Sequence, residues 1–228
     1  MCNWFMRTEA FLATAGEQTP PTPSPRPPRH ASPRSLTAIA LLIAGALVAA
    51  QALYIPAKAQ VAQVLMSSAW EHQLSTGDPA RPWPWADFTP TARLRFPAQH
   101  RSVLALTDAA GESLAFGPTL LAASVEPGAH GVAVFAAHRD THFAFLKDVK
   151  VGNEITVDLP GGSRRFRVTG SQVVRWDASG IQTHDGGAPR IALVTCWPLE
   201  AKTPGPMRYV VWAELIPEPL SASTPSQA

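Results

Sequence analysis

The pattern of apolar and polar positions changes character twice along the chain. From Leu36 to Ile55 the run "LTAIALLIAGALVAAQALYI" is almost wholly apolar, and no charged residue stands between Ser35 and Ala57. Its 20 residues, at a helical rise of about 1.5 Å each, match the ~30 Å hydrocarbon core of a bilayer, which predicts one transmembrane helix over 36–55. Beyond it, Val61, Val64, Leu65 and Ala69 keep a helical spacing. The helix is therefore expected to continue outward as a stalk, 56–80, and to stop near Gly77. From there the pattern turns to β. Candidate strands are Ser102–Leu106, Leu114–Phe116, Gly131–Ala136, Glu154–Leu159, Arg165–Gln172, Ile191–Thr195 and Tyr209–Leu215. Turn signals at Gly111, "EPGAHG" and "PGGS" separate several of them. Many short strands in one segment, 81–216, predict an all-β unit, a small barrel or sandwich. One short helix is expected at Phe143–Val149.

The flanks read differently. The stretch 20–33, "PPTPSPRPPRHASP", holds seven prolines, so 1–35 is expected to be a Pro-rich tail without a fold. The end of the chain, 217–228, is rich in proline and serine and reads as a disordered tail. Charge is placed unevenly. The first 55 residues carry Arg7, Arg26, Arg29 and Arg34 against Glu9 and Glu17, whereas the remainder balances 15 basic residues with 15 acidic ones. The β segment thus has no basic footprint, and nothing points to a nucleic-acid partner.

Three of those arginines, Arg26, Arg29 and Arg34, lie just before the apolar run, while Lys58 alone lies just after it. The positive-inside bias puts the N-terminus in the cytoplasm and the β domain outside a cytoplasmic membrane. A cleaved signal peptide is the rival, because "AKA" at 57–59 looks like a processing site. The apolar run is longer than a usual signal core, which favours an uncleaved anchor.

Only two cysteines occur, Cys2 and Cys196, so a thiol beyond the membrane has no partner for a structural disulfide. Cys196 closes the strand "IALVT". His138 follows the strand "GVAVFAA", and Arg208 opens "RYVVWAEL". Two strand ends and one strand start meet at one rim if the last two strands are antiparallel, with "WPLEAKTPGPM" joining them. A thiolate is a nucleophile; an imidazole can lower the thiol pKa or protonate a leaving amine; a guanidinium can hold an oxyanion. Together the three suffice for acyl transfer from an amide. Each also has a bland reading: a buried apolar cysteine, a polar residue at a strand end, a surface charge. His138 and His142, four apart, hint at a metal, but a zinc site needs three or four ligands and no convincing set accompanies them, so no metal and no cofactor is expected. His142 is expected to support rather than catalyse. Trp83, Trp85 and Trp197 are expected to pack.

With these residues in view, the chain resembles the sortases, membrane-anchored cysteine transpeptidases, over roughly 36–215, and most closely their proteobacterial branch, class GN. The resemblance rests on Thr195-Cys196 closing one strand with Arg208 opening the next, on "AAHRDTHFAFLKDVKVGNEI", and on "RPWPWADF", "LAFGP" and "PGPMRYVVWAEL". Three departures stand out: Ala137 where the family has glycine before the histidine, Asn153 where Asp is common, and "CWPLEA" in place of an aromatic-Pro-Phe-Asp-type run. None removes a catalytic group. The resemblance implies a closed eight-stranded β-barrel with short helices. It implies that Cys196 attacks a C-terminal sorting motif, LPXTG-like, of a secreted protein, that His138 protonates the departing amine, and that Arg208 stabilises the oxyanion. An acceptor amine, or water, then resolves the thioester. Thr195 packs or hydrogen-bonds near the substrate. The branch implies a periplasmic catalytic domain and one dedicated substrate protein.

Three other readings compete. A non-catalytic, membrane-tethered binding barrel would keep binding when Cys196 is replaced. A hydrolytic cysteine peptidase would differ mainly in its acceptor, and no Asp or Asn that would orient the histidine is evident. An L,D-transpeptidase would carry His and Cys close together, whereas His138 and Cys196 are 58 residues apart.

Overall fold

The computed structural model describes residues 33–107, 111–201, 203 and 205–217; the two expected tails lie almost wholly outside them. The chain divides into two compact units, 1–49 and 50–228. One helix, α1 (Pro33–Thr76), has Pro56 in its interior and is long and apolar enough to cross a membrane. In the first unit its large apolar side chains, Leu41, Leu42 and Val48 among them, are exposed. It ends where the sequence signals it: Gly77, at φ +84°, returns its N–H to Gln73 O at 2.9 Å. Glycine takes that left-handed conformation without a Cβ penalty and so closes the last turn.

In the second unit Ala62, Met66, Ala69 and Trp70 of α1 are buried. Met66 packs with Phe88 and Leu106, and Gln63 Nε2 donates to Phe116 O at 3.0 Å. Eight strands follow: β1 (Pro90–Phe96), β2 (Arg101–Thr107), β3 (Thr119–Leu120), β4 (Val132–Ala136), β5 (Glu154–Leu159), β6 (Gly162–Arg175), β7 (Arg190–Trp197) and β8 (Met207–Leu215). They close into a barrel in the order β1-β2-β3-β4-β7-β8-β6-β5. Closure leaves no unpaired edge. β4 and β7 run parallel, and β7 and β8 antiparallel.

The pleat sends alternate residues inward. Ala133 and Phe135 of β4, Ile191 and Leu193 of β7, and Val211 and Ala213 of β8 join Leu94, Phe96, Ile155, Val157 and Phe166 in one core, all fully buried. On the opposite face of β4, β7 and β8, Val132, Val134, Ala192 and Val210 form a second apolar strip, covered by Leu121 and Ile181 from two loops.

Three expectations need correction. Leu114–Phe116 is no strand: a 3₁₀ turn occupies Glu112–Ala115, entered by Gly111 at φ +74°, and its buried Ser113 Oγ lies 3.0 Å from Thr119 Oγ1. Strands β1 and β3 were not anticipated, because β3 has only two residues and two arginines interrupt the apolar pattern of β1. Trp83 packs edge-on against Phe88 and Phe116, but Trp85 is 79% exposed. The Ala86 N–H to Trp83 O bond, 3.0 Å, closes a turn that throws Trp85 outward. The short helix does form, as a 3₁₀ turn over Ala144–Asp148.

Candidate active site

Strand pairing brings the three expected residues into one row. In β7–β8 the partner of Cys196 is Arg208. Antiparallel partners share a face, with Cα atoms about 4.5–5.5 Å apart. In β4–β7 the last pair is Ala136 with Val194. Two residues further on each strand come His138 and Cys196, and the alternation repeats every two residues. The ladder reaches past the end of β4: Ala137 N–H donates to Val194 O at 3.1 Å, and Thr195 Oγ1 donates to Ala137 O at 2.7 Å. Cys196 and Arg208 thus stand side by side on the outward face of the sheet, and His138 follows two residues past the end of the neighbouring strand β4, at the same rim. His138 is exposed; Cys196 and Arg208 are half-buried, and the thiol is free.

Each member is held differently. After His138 the chain turns through "RDTH", and Phe143 N–H donates back to His138 O at 3.1 Å. Ala137, where the resemblance implies glycine, is buried in the core. Among the described residues His100 is the only non-glycine with positive φ, so Ala137 carries no left-handed strain. Arg208 Nη1 donates to Gly205 O and to Met207 O, both at 2.9 Å. The guanidinium therefore rests on its own loop in the free protein. Thr195 is 2% exposed and points inward. Its hydroxyl serves the joint between β7 and the histidine segment and does not face the row.

Neighbouring features extend the site. Trp197 stacks on Tyr209, ring centroids 5.7 Å apart. The pair lines a cavity of about 470 Å³ with Lys147, Pro198, Leu199 and Glu200. His142 leaves the row. It lines a separate cavity of about 410 Å³ with Gln63, Ser67, Arg93, Leu104 and Phe116. Burial holds its pKa below the ordinary 6.5, a hydrogen bond to the Ala115 backbone opposes this, and the charge of His138 lowers it further. Asn153, where Asp is common, does a turn's work: its Oδ1 accepts from Lys150 N–H at 3.0 Å and from Gln99 Nε2 at 2.8 Å. An Asp oxygen could accept both bonds equally.

One residue of the neighbourhood escaped the reading of the sequence. Arg139 is buried to 9% exposure, and its two terminal nitrogens donate to Pro198 O at 3.0 Å and Thr203 O at 2.8 Å. A charged residue directly after the histidine was the signal available.

Comparison with known proteins agrees with the barrel fold. The family model described as "Sortase domain" matches residues 94–216. Sortase D of Bacillus subtilis (strain 168) is 25% identical over 93 residues, a match covering 41% of this chain and 47% of that protein. The match thus spans about half the length of that relative. Among solved structures, sortase A from Corynebacterium diphtheriae superposes with a TM-score of 0.53 at 19% identity, covering 70% of this chain and 86% of that one. Sortase C1 of Streptococcus agalactiae gives 0.52 at 20% identity, covering 71% and 89%.

Proposed function

This chain belongs to the sortase family, and on that premise we propose that it is a membrane-anchored cysteine transpeptidase of the proteobacterial, class GN-like branch. Residues 36–55 anchor it, 56–80 form the stalk and 81–216 the catalytic barrel. The N-terminus lies in the cytoplasm and the barrel on the periplasmic side. Its substrate is a secreted protein with an LPXTG-like C-terminal sorting signal, one dedicated partner.

The observation that supports this reading is the shared rim: Cys196 paired with Arg208 across β7 and β8, with His138 two residues past the end of β4, the other neighbour of β7. In the first half-reaction the Cys196 thiolate attacks the scissile carbonyl. Arg208 releases Gly205 O and Met207 O and donates to the oxyanion as it forms, an interaction worth most in the transition state. The C–N bond breaks, His138 gives its proton to the departing amine, and a thioester remains on Cys196. In the second half-reaction an acceptor amine attacks the thioester, yields a proton to His138 and expels the thiolate. Water in place of the amine gives hydrolysis.

The test uses the full-length chain in detergent with sorting-motif peptides, with and without an added primary amine. The expected result is a new amide in the presence of amine, and no product from Cys196→Ala at unchanged melting temperature. A Cys196→Ala variant that still binds the peptide, where the wild type never turns it over, would favour a binding barrel.

A further inference from the structure

Two arginines reach into the same loop, 198–206, from the two segments that flank β7. Arg208, on one side, donates to Gly205 O and Met207 O. Arg139, on the other, donates to Pro198 O and Thr203 O. This loop joins β7, which carries Cys196, to β8, whose second residue is Arg208.

The two differ in burial and in freedom. Arg208 is half-buried at the rim. Arg139 is 9% exposed, and among the described residues it forms no ion pair with a carboxylate; neighbouring Asp140 is exposed. Burying a guanidinium without a counter-ion carries a desolvation cost, offset here only by carbonyl dipoles. Both carbonyls lie on one loop, five residues apart in sequence. A planar fork with fixed N–H directions can bridge two such acceptors, whereas a lysine offers one compact charge. Bonds of this charge-assisted kind are shorter and stronger than neutral ones.

We infer that Arg139 is a positioning residue, the fixed clamp that holds Pro198 and Thr203 in the connection from β7 to β8. It ties the loop to the backbone beside His138, so that the loop keeps its place when the Arg208 guanidinium leaves its own carbonyls for the substrate. Trp176 N–H, donating to Pro206 O at 2.9 Å, holds the loop at its β8 end; Arg139 holds Pro198 and Thr203, the part that follows Cys196. With Arg139 in place, one arginine holds while the other moves. The catalytic half of this inference rests on the transpeptidase reading above; the clamp itself does not.

The experiment compares the full-length wild type, Arg139→Lys and Arg139→Met in detergent, by two readouts. The first is trypsin cleavage after Lys202, a basic residue in the loop followed by Thr203. The second is the single-turnover rate of thioester formation as a function of peptide concentration. Loss of the clamp should speed cleavage after Lys202 by about tenfold or more, since proteolysis follows the opened population. It should slow acylation by about 10²-fold, the scale expected of small misplacements near a reacting centre. Half-saturation should move by less than about threefold, because ground-state binding is not the clamp's task. Arg139→Lys should fall between the two on both readouts. If Arg139→Met does not fold, Arg139→Lys alone decides: wild-type values in both readouts would overturn the inference. Unchanged cleavage after Lys202 in a folded Arg139→Met would overturn the clamp. Faster cleavage with unchanged acylation would overturn its catalytic purpose. Absence of a thioester in the wild type would refute the transpeptidase reading, and the trypsin comparison would still decide the clamp.

Discussion

The two faces of β4, β7 and β8 make opposite use of the same backbone. Inward, Phe135, Leu193 and Val211 are fully buried and belong to the barrel's main core. Outward at the rim, His138, Cys196 and Arg208 are exposed or half-buried and polar or reactive. A one-residue step along a strand exchanges one role for the other. The inward positions fix the register, and the register aligns the outward row. The chemistry proposed for the rim thus depends on packing that it does not touch, while the packing has little need of that chemistry.

Substitutions on the two faces should separate accordingly. The largest effect on stability is expected inward. Leu193→Ala should cost about 2–5 kcal/mol, through lost transfer energy and a cavity. Thermal or denaturant unfolding checks this, and activity should be lost only as the fold is lost. His138→Ala should leave the melting temperature near that of wild type and abolish measurable acylation.

Arg208→Ala sharpens the contrast next. Removing one oxyanion donor typically costs about 10²–10³ in rate. Acylation should slow by that amount with little change in peptide affinity, and Arg208→Lys should rescue only part of it, because the charge stays and the fork goes. Single-turnover kinetics, with melting curves alongside, measure both.

Thr195→Val blurs the contrast by design, because its hydroxyl links the core to the histidine segment. Leaving Ala137 O without this donor should cost about 1–3 kcal/mol of stability. A parallel fall in acylation is expected, as the His138 segment loses an anchor.

The smallest effect concerns His142. Its folded pKa lies below the ordinary 6.5 because of burial. Above that value both folded and unfolded chains carry it neutral, and it contributes no pH dependence. As pH falls below about 6.5 the unfolded chain binds the proton first, so stability declines until the lowered folded pKa is passed. His142→Gln should flatten this stretch of the stability profile. At neutral pH it should reduce turnover far less than His138→Ala.

How far the sequence disclosed this arrangement varies by residue. The apolar runs leading to His138 and Cys196 were legible, although β4 stops two residues before His138 and β7 runs one residue past Cys196, and so was the antiparallel hairpin that returns Arg208 to the rim. Strand β1 was legible in principle: Ala92, Leu94 and Phe96 alternate inward between Arg93 and Arg95, but the arginines hid the pattern. The two-residue β3 offered no periodicity at all. Leu114–Phe116 misled because three residues cannot distinguish a strand from a turn, and the buried Ser113 bond decides it. Arg139 stood in view beside His138, but its role did not. Its partners are backbone carbonyls about 60 residues away, which no side-chain pattern encodes.

The most direct measurement is intact-mass spectrometry of the full-length chain after brief incubation with a panel of LPXTG-like peptides. The expected result is an adduct of the peptide's N-terminal fragment on Cys196, labile to hydroxylamine, absent from Cys196→Ala and scarce in Arg208→Ala. Cleavage by Cys196→Ala at the wild-type rate would contradict the account, as would an adduct on any other residue or no adduct from any peptide of the panel.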